Sequence, residues 1–78
     1  MDNTRFNKKM ICVNDVRFNL YDVASYEEVL TEYDEVSVIV TFVYNNATCC
    51  KEFCFDNPED AFELLKYLDS YFRVEPTF

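Results

Sequence analysis

Nine consecutive residues, Val36-Ser37-Val38-Ile39-Val40-Thr41-Phe42-Val43-Tyr44, carry no charge and are dominated by β-branched and aromatic side chains. That composition favours a strand. Asn45-Asn46 follows directly, and Asn tolerates the positive φ angles that a two-residue type I′ turn requires. The residues from Ala47 to Phe55 then form the return strand. A two-residue turn fixes the register, which pairs Phe42 with Cys49, Val40 with Lys51, Val38 with Phe53 and Val36 with Phe55. Side chains alternate along a strand, so these eight residues share one face. That face is apolar except for Lys51, whose alkyl stem can cover apolar surface while its ammonium reaches water. The opposite face pairs Ser37 with Cys54, Ile39 with Glu52, Thr41 with Cys50 and Val43 with Thr48, a mixed set that suits a half-exposed surface.

An apolar sheet face needs a cover, and the next segment supplies one. Asn57 is a favoured N-cap, Pro58 suits the first helical position, and Glu59 and Asp60 place negative charge in the first turn. Ala61, Leu65, Leu68 and Phe72 recur at helical spacing, and Leu64 and Tyr71 widen the stripe. The helix is expected to end near Phe72 and to lie on the hairpin's apolar face, with Val74, Pro76 and Phe78 as a short tail. Upstream, residues 10–13 and 16–20 read as a second hairpin across Asn14-Asp15, with one bent strand as the competing reading. Ser25-Tyr26-Glu27-Glu28 has the form of a capping box, and Tyr26, Val29, Leu30 and Tyr33 follow at i, i+3, i+4, i+7 spacing. These signals predict a short acidic helix over residues 25–34, with an acidic loop as the alternative. The expected architecture is α+β: an antiparallel sheet of three or four strands, a C-terminal helix packed on one face, and a short acidic helix or loop before the central hairpin.

Seventy-eight residues make one domain, 1–78, near the lower size limit for a self-sufficient core, with residues 1–9 expected to be a flexible N-terminus. Fourteen aromatic residues compensate, since each can bury roughly 150–250 Å². The chain has no glycine, which excludes the Gly-rich phosphate loops and leaves its turns to Asn, Asp and Pro. No apolar run approaches the roughly 20 residues of a membrane-crossing helix. The basic residues near the N-terminus precede no apolar core of a signal peptide. The expectation is a cytoplasmic protein whose four cysteines, Cys12, Cys49, Cys50 and Cys54, are reduced thiols.

The chain has no histidine, so the commonest general base is missing and no Ser–His–Asp or Cys–His pair can be assembled. The adjacent carboxylates Glu27/Glu28 and Asp34/Glu35 fit a solvated surface better than a catalytic cleft. Cys49 and Cys50 point to opposite faces of a strand, which opposes convergence with Cys54 and Cys12 on one metal ion. A non-enzymatic protein with no catalytic residue, metal or cofactor is expected.

Charge supplies the positive indication. No Lys or Arg occurs from Phe18 to Cys50, whereas Asp22, Glu27, Glu28, Glu32, Asp34 and Glu35 all lie there, and the chain's net charge is −8. Arg5, Lys8, Lys9 and Arg17 gather near the N-terminus. A field of that sign repels nucleic acid and anionic membrane and attracts a basic surface. Tyr21, Tyr26 and Tyr33 are interleaved with the acids, and Tyr offers rigid contact area with a polar tip. Asp22, Tyr26, Glu27, Glu28, Glu32, Tyr33, Asp34 and Glu35 are therefore the candidate partner-binding residues. The carboxylates would form a phosphate-like array for Lys and Arg side chains, with the tyrosines as anchors.

A short, strongly acidic chain lacking His and Gly, with acids clustered around Tyr, resembles the small inhibitors encoded by phages and mobile elements. Anti-CRISPR proteins and other DNA-mimicking antidefence proteins are the nearest case. The resemblance lies in size, charge and inferred α+β build. It implies stoichiometric binding to a larger basic host protein, a nucleic-acid-binding effector, at its DNA- or RNA-binding groove. Small acidic immunity proteins that neutralise basic nuclease toxins look similar for the same reason. A further alternative is a self-associating assembly module, in which the mixed sheet face (Ile39, Thr41, Val43, Cys50, Cys54) forms a homodimer and the charge serves solubility.

Overall fold

A computed structural model describes residues 8–77. Arg5, in the basic N-terminal group, and Phe78, in the tail, lie outside the described residues. The elements run β1 (Met10–Val13), β2 (Val16–Asn19), a 3-10 turn (Leu20–Asp22), β3 (Val23–Leu30), β4 (Val36–Tyr44), β5 (Ala47–Phe55) and α1 (Pro58–Phe72). Among the described residues, β3-β4-β5 form a three-stranded antiparallel sheet and β1-β2 a separate two-stranded one. The fold is α+β.

Both hairpins have the register that their turns dictate. Phe42 lies opposite Cys49, Val40 opposite Lys51, Val38 opposite Phe53 and Val36 opposite Phe55. Asn45 and Asn46 have φ of 50° and 65°, and Asn14 and Asp15 have 49° and 66°, so both turns have the paired positive φ of type I′. Ile11 meets Phe18 and Val13 meets Val16 across the first hairpin, which settles that segment as two strands.

The inner face of the three-stranded sheet carries the core. Val36, Val38, Val40, Phe53 and Phe55 are buried with Ala61 and Leu68 of α1, and Leu64, Leu65 and Tyr71 pack around them. The β1-β2 hairpin lies on the same side: the Phe18 ring stands edge-on to Phe42 at 5.0 Å and sits 5.7 Å from Phe53. Leu20, fully buried in the 3-10 turn, completes the cluster. Lys9 joins the end of β2, where its N–H donates to Asn19 Oδ1 and its carbonyl accepts from the N–H of Leu20.

Residues 25–34 are not a helix. Val23–Leu30 is a strand that pairs antiparallel with β4, from Leu30 opposite Val36 to Val23 opposite Phe42, with a bulge between Val23 and Ser25. A tight turn closes it: the Thr31 N–H donates to the Glu35 carbonyl and the Glu35 N–H to Thr31 Oγ1, with Asp34 at φ 61°. The capping box and the i, i+3, i+4, i+7 spacing are local signals, and an isolated helix of about ten residues is marginal in water. Pairing with β4 satisfies a row of backbone groups on an apolar strand that would otherwise face solvent. Tertiary pairing therefore overrides the local pattern.

The α1 boundaries follow their caps. Asn57 Oδ1 accepts from the Glu59 N–H at 3.0 Å, and the helix ends where Arg73 turns left-handed at φ 54°. That position normally holds Gly, and a side chain there carries a steric cost of roughly 1 kcal/mol. Arg73→Gly is expected to raise the urea unfolding midpoint by the equivalent of about 0.5–1 kcal/mol, because relief of that clash exceeds glycine's added unfolded-state entropy. Phe53→Ala is expected to lower stability by about 3–5 kcal/mol, whereas Val43→Ala on the outer face should change it by less than about 1 kcal/mol. Equal losses at the two sites would contradict the one-sided core.

Candidate functional site: an acidic groove beside the β3 edge

Strand pairing redistributes the expected acids. Glu27 and Glu28 are consecutive in β3, so they project to opposite sides of the sheet. Glu28, opposite Val38, faces the side that carries α1, and Glu27, opposite Ile39, faces the outer side. Glu32, Asp34 and Glu35 lie in the turn between β3 and β4, where Tyr33 is 81% exposed. Asp22 is elsewhere: it lines a second groove with Lys8, Arg17 and Lys51 over an apolar floor that includes Met10, Phe18 and Phe42. The eight candidate residues therefore do not form one array, and Asp22 sits in the most basic part of the described surface.

The helix supplies acids that the sequence reading did not place in the site. Along α1, residues 59, 62, 63, 66 and 69 share the helical face beside β3. They enclose with Glu28 an open groove of about 590 Å³, lined by Glu28, Glu59, Phe62, Glu63, Leu65, Lys66 and Asp69. Four carboxylates thus face one cation, Lys66, above Phe62 and Leu65. Phe62 is half exposed. A signal for this arrangement exists in the sequence: Glu59, Glu63, Lys66 and Asp69 recur on the flank of the apolar stripe. Its use requires knowing that β3, rather than an acidic helix, lies alongside.

Tyr26 is a structural contact at the end of this groove, not a free anchor. Its hydroxyl donates to Asp69 Oδ1 at 2.6 Å and its ring packs 6.1 Å from Phe72. Desolvation raises the phenol above its ordinary value, and the hydrogen bond to Asp69 and the negative charge of that carboxylate add to the shift. The bond ties β3 to the last turns of α1 and orients the Asp69 carboxylate. Tyr71 is raised as well, chiefly by its hydrogen bond with Tyr21.

The thiols are all exposed and unpaired. Cys49 shares the inner face with Phe42. Cys50 and Cys54 lie on the outer face, with Cys50 Sγ 3.5 Å from Thr41 Oγ1 and Cys54 Sγ accepting from Ser37 Oγ at 3.5 Å. Among the described residues, no group of three or more His, Cys, Asp or Glu is placed to hold a metal ion. No helix of the described residues is long and apolar enough to cross a membrane.

The Tyr26–Asp69 contact yields a test with a defined sign. A phenol whose folded pKa lies above its unfolded value of about 10 contributes stability that is present below pH 10 and fades above it, as the unfolded chain ionises first. Tyr26→Phe is expected to cost about 0.5–1 kcal/mol at pH 7, the low end for a charge-assisted hydrogen bond because this one is partly exposed. The difference between the two proteins in urea midpoint should narrow above pH 10. A difference that widens there would refute the assignment. Comparisons of this chain with protein-family models, with curated proteins and with solved structures find no match.

Proposed function

We propose that this chain is a non-enzymatic acidic binding protein, acting in the cytoplasm as a stoichiometric inhibitor that occupies the DNA- or RNA-binding site of a larger basic effector. The observation that carries the reading is the gathering of Glu28, Glu59, Glu63 and Asp69 around an apolar floor with Lys66 as the one lining cation. Glu32, Asp34 and Glu35 extend the negative charge into the turn after β3, beside the exposed Tyr33. Each Lys or Arg of a partner brought to about 4 Å of a carboxylate gains roughly 1 kcal/mol in water and up to about 4 where the surface is partly desolvated. A set of such contacts competes with phosphates for the same side chains. The similarity in size, charge and α+β build to phage-encoded anti-CRISPR inhibitors supports this partner class, and an immunity protein against a basic nuclease would use the same physics.

Self-association through the outer sheet face is the main alternative. The register places Glu27 and Glu52 on either side of Ile39 in one row across that face. A second copy laid face to face would bring carboxylates toward carboxylates. That geometry weighs against a homodimer and favours a basic partner.

The tagged full chain, incubated with nuclease-treated lysate of its host, should capture a nucleic-acid-binding protein. The purified partner should lose its DNA or RNA on addition of one equivalent of the chain. Affinity should fall about tenfold or more between 50 and 300 mM salt, and the charge reversals Glu28→Lys, Glu59→Lys and Glu63→Lys together should weaken it similarly. A captured partner that keeps its nucleic acid in the complex, or whose binding ignores salt, would overturn the reading.

A further inference from the structure

β3 is the outermost strand in the order β3-β4-β5. One of its edges bonds to β4, and among the described residues no strand pairs with the other. Proteins usually blunt such an edge with Lys, Pro, a central bulge or a covering element. β3 contains neither Lys nor Pro, and its irregularity lies at its N-terminal end, between Val23 and Ser25, which leaves residues 25–30 in regular register. The other outer strand differs. β5 has Lys51 at its centre, and Asn14 Nδ2 of the β1-β2 turn donates to its Cys54 carbonyl at 3.2 Å.

The charges on β3 specify what can pair there. Glu27 and Glu28 sit at the centre of residues 25–30, one on each side of the sheet. A second copy adding its own β3 antiparallel about the strand centre would set Glu27 opposite Glu27 or, in the next allowed register, Glu28 opposite Glu28, because only residues of like backbone direction can pair along one edge, and like charges directly opposite are destabilising. A partner strand with two adjacent basic residues meets the opposite condition: consecutive side chains fall on opposite faces, so one cation reaches Glu27 and the next reaches Glu28. Glu59 and Glu63, which line the groove with Glu28, add negative charge on the inner side.

We infer that β3 is a docking edge that accepts, as a fourth strand, an extended segment of a partner protein carrying two adjacent Lys or Arg residues flanked by β-branched residues. This deepens the acidic-binder reading and rests on it. Backbone hydrogen bonds along the edge supply affinity, and the dibasic pair sets specificity and register.

The test uses the isotope-labelled full chain and the peptide acetyl-Thr-Val-Arg-Arg-Val-Thr-amide, with the isomer acetyl-Arg-Val-Thr-Thr-Val-Arg-amide as control. The β3 amides that point away from β4 should slow in hydrogen exchange by about tenfold or more with the dibasic peptide, and little with the isomer. Glu27→Gln with Glu28→Gln should abolish the effect, whereas Glu59→Gln with Glu63→Gln should leave most of it. Equal protection by both peptides, or none by either, overturns the edge inference. Shifts confined to residues 59–69 place the peptide in the groove, which overturns the edge inference while the acidic-binder reading stands. Protection that rises with protein concentration and needs no peptide would assign the edge to a second copy and also overturn it. Loss of salt dependence in partner capture would instead remove the acidic-binder reading itself.

Discussion

The structure depends on the need of β4 to keep both edges and its inner face out of water. Val36, Val38 and Val40 are buried on one side of a strand that has no charge along its length. Such a strand has no stable place at a solvated edge, and it is central here, with β3 on one side and β5 on the other. Its inner face then requires a cover, which α1 provides through Ala61 and Leu68 and the β1-β2 hairpin through Phe18. Phe53, across the ladder from Val38 and beside the Phe18 ring, joins these layers. Burial of a Phe and several Val and Leu side chains, at about 1.5–3 kcal/mol each, is a large share of what a chain this short can gather.

The parts that local chemistry decides were legible in the sequence. Asn14-Asp15 and Asn45-Asn46 accept two successive positive φ values without glycine, so their positions set two registers at once. Asn57 and Pro58 mark the start of α1 for equally local reasons. The segment 25–34 was not legible, because its outcome depends on a strand that follows it. Tyr26, Val29, Leu30 and Tyr33 match a helical stripe, yet in the fold Tyr26 and Leu30 face one way, Val29 the other, and Tyr33 stands exposed in a turn. The error propagates to the site. A helix would have grouped Glu27 and Glu28 on one outer surface, whereas a strand divides them between two faces and hands Glu28 to α1. Glu59, Glu63 and Asp69 enter the site only through that contact.

The fold also sorts charge by position. Lys8, Arg17 and Lys51 border the groove between β2 and the far half of the β4-β5 hairpin, while Glu28 of β3 and Glu59, Glu63 and Asp69 of α1 line the other groove. Lys51 does not join the acids, because the register fixes it opposite Val40 on the inner face, where it lines the second groove. The net charge of −8 is therefore unevenly spread, and an approaching basic surface is drawn first to one part of the molecule.

Solubility alone accounts for a negative net charge but not for its company. Beside the acids, Leu30 is 65% exposed and Phe62 51%, and Tyr33 projects from the same turn as Glu32, Asp34 and Glu35. Single exposed apolar residues are ordinary on a protein surface, and Met10 and Tyr44 are exposed beside the second groove too. The two places differ in sign: near Met10 and Tyr44 the charged neighbours are mainly cations, near Phe62 mainly carboxylates. An apolar contact ringed by carboxylates binds little in water by charge or by burial alone. It gains from both when the approaching surface is itself amphipathic and basic, because each buried methylene lowers the dielectric around the ion pairs beside it. The bond between Tyr26 and Asp69 holds the groove's two walls together before any partner arrives. A partner would then order its own side chains against a surface already fixed, which reduces the entropy lost on association.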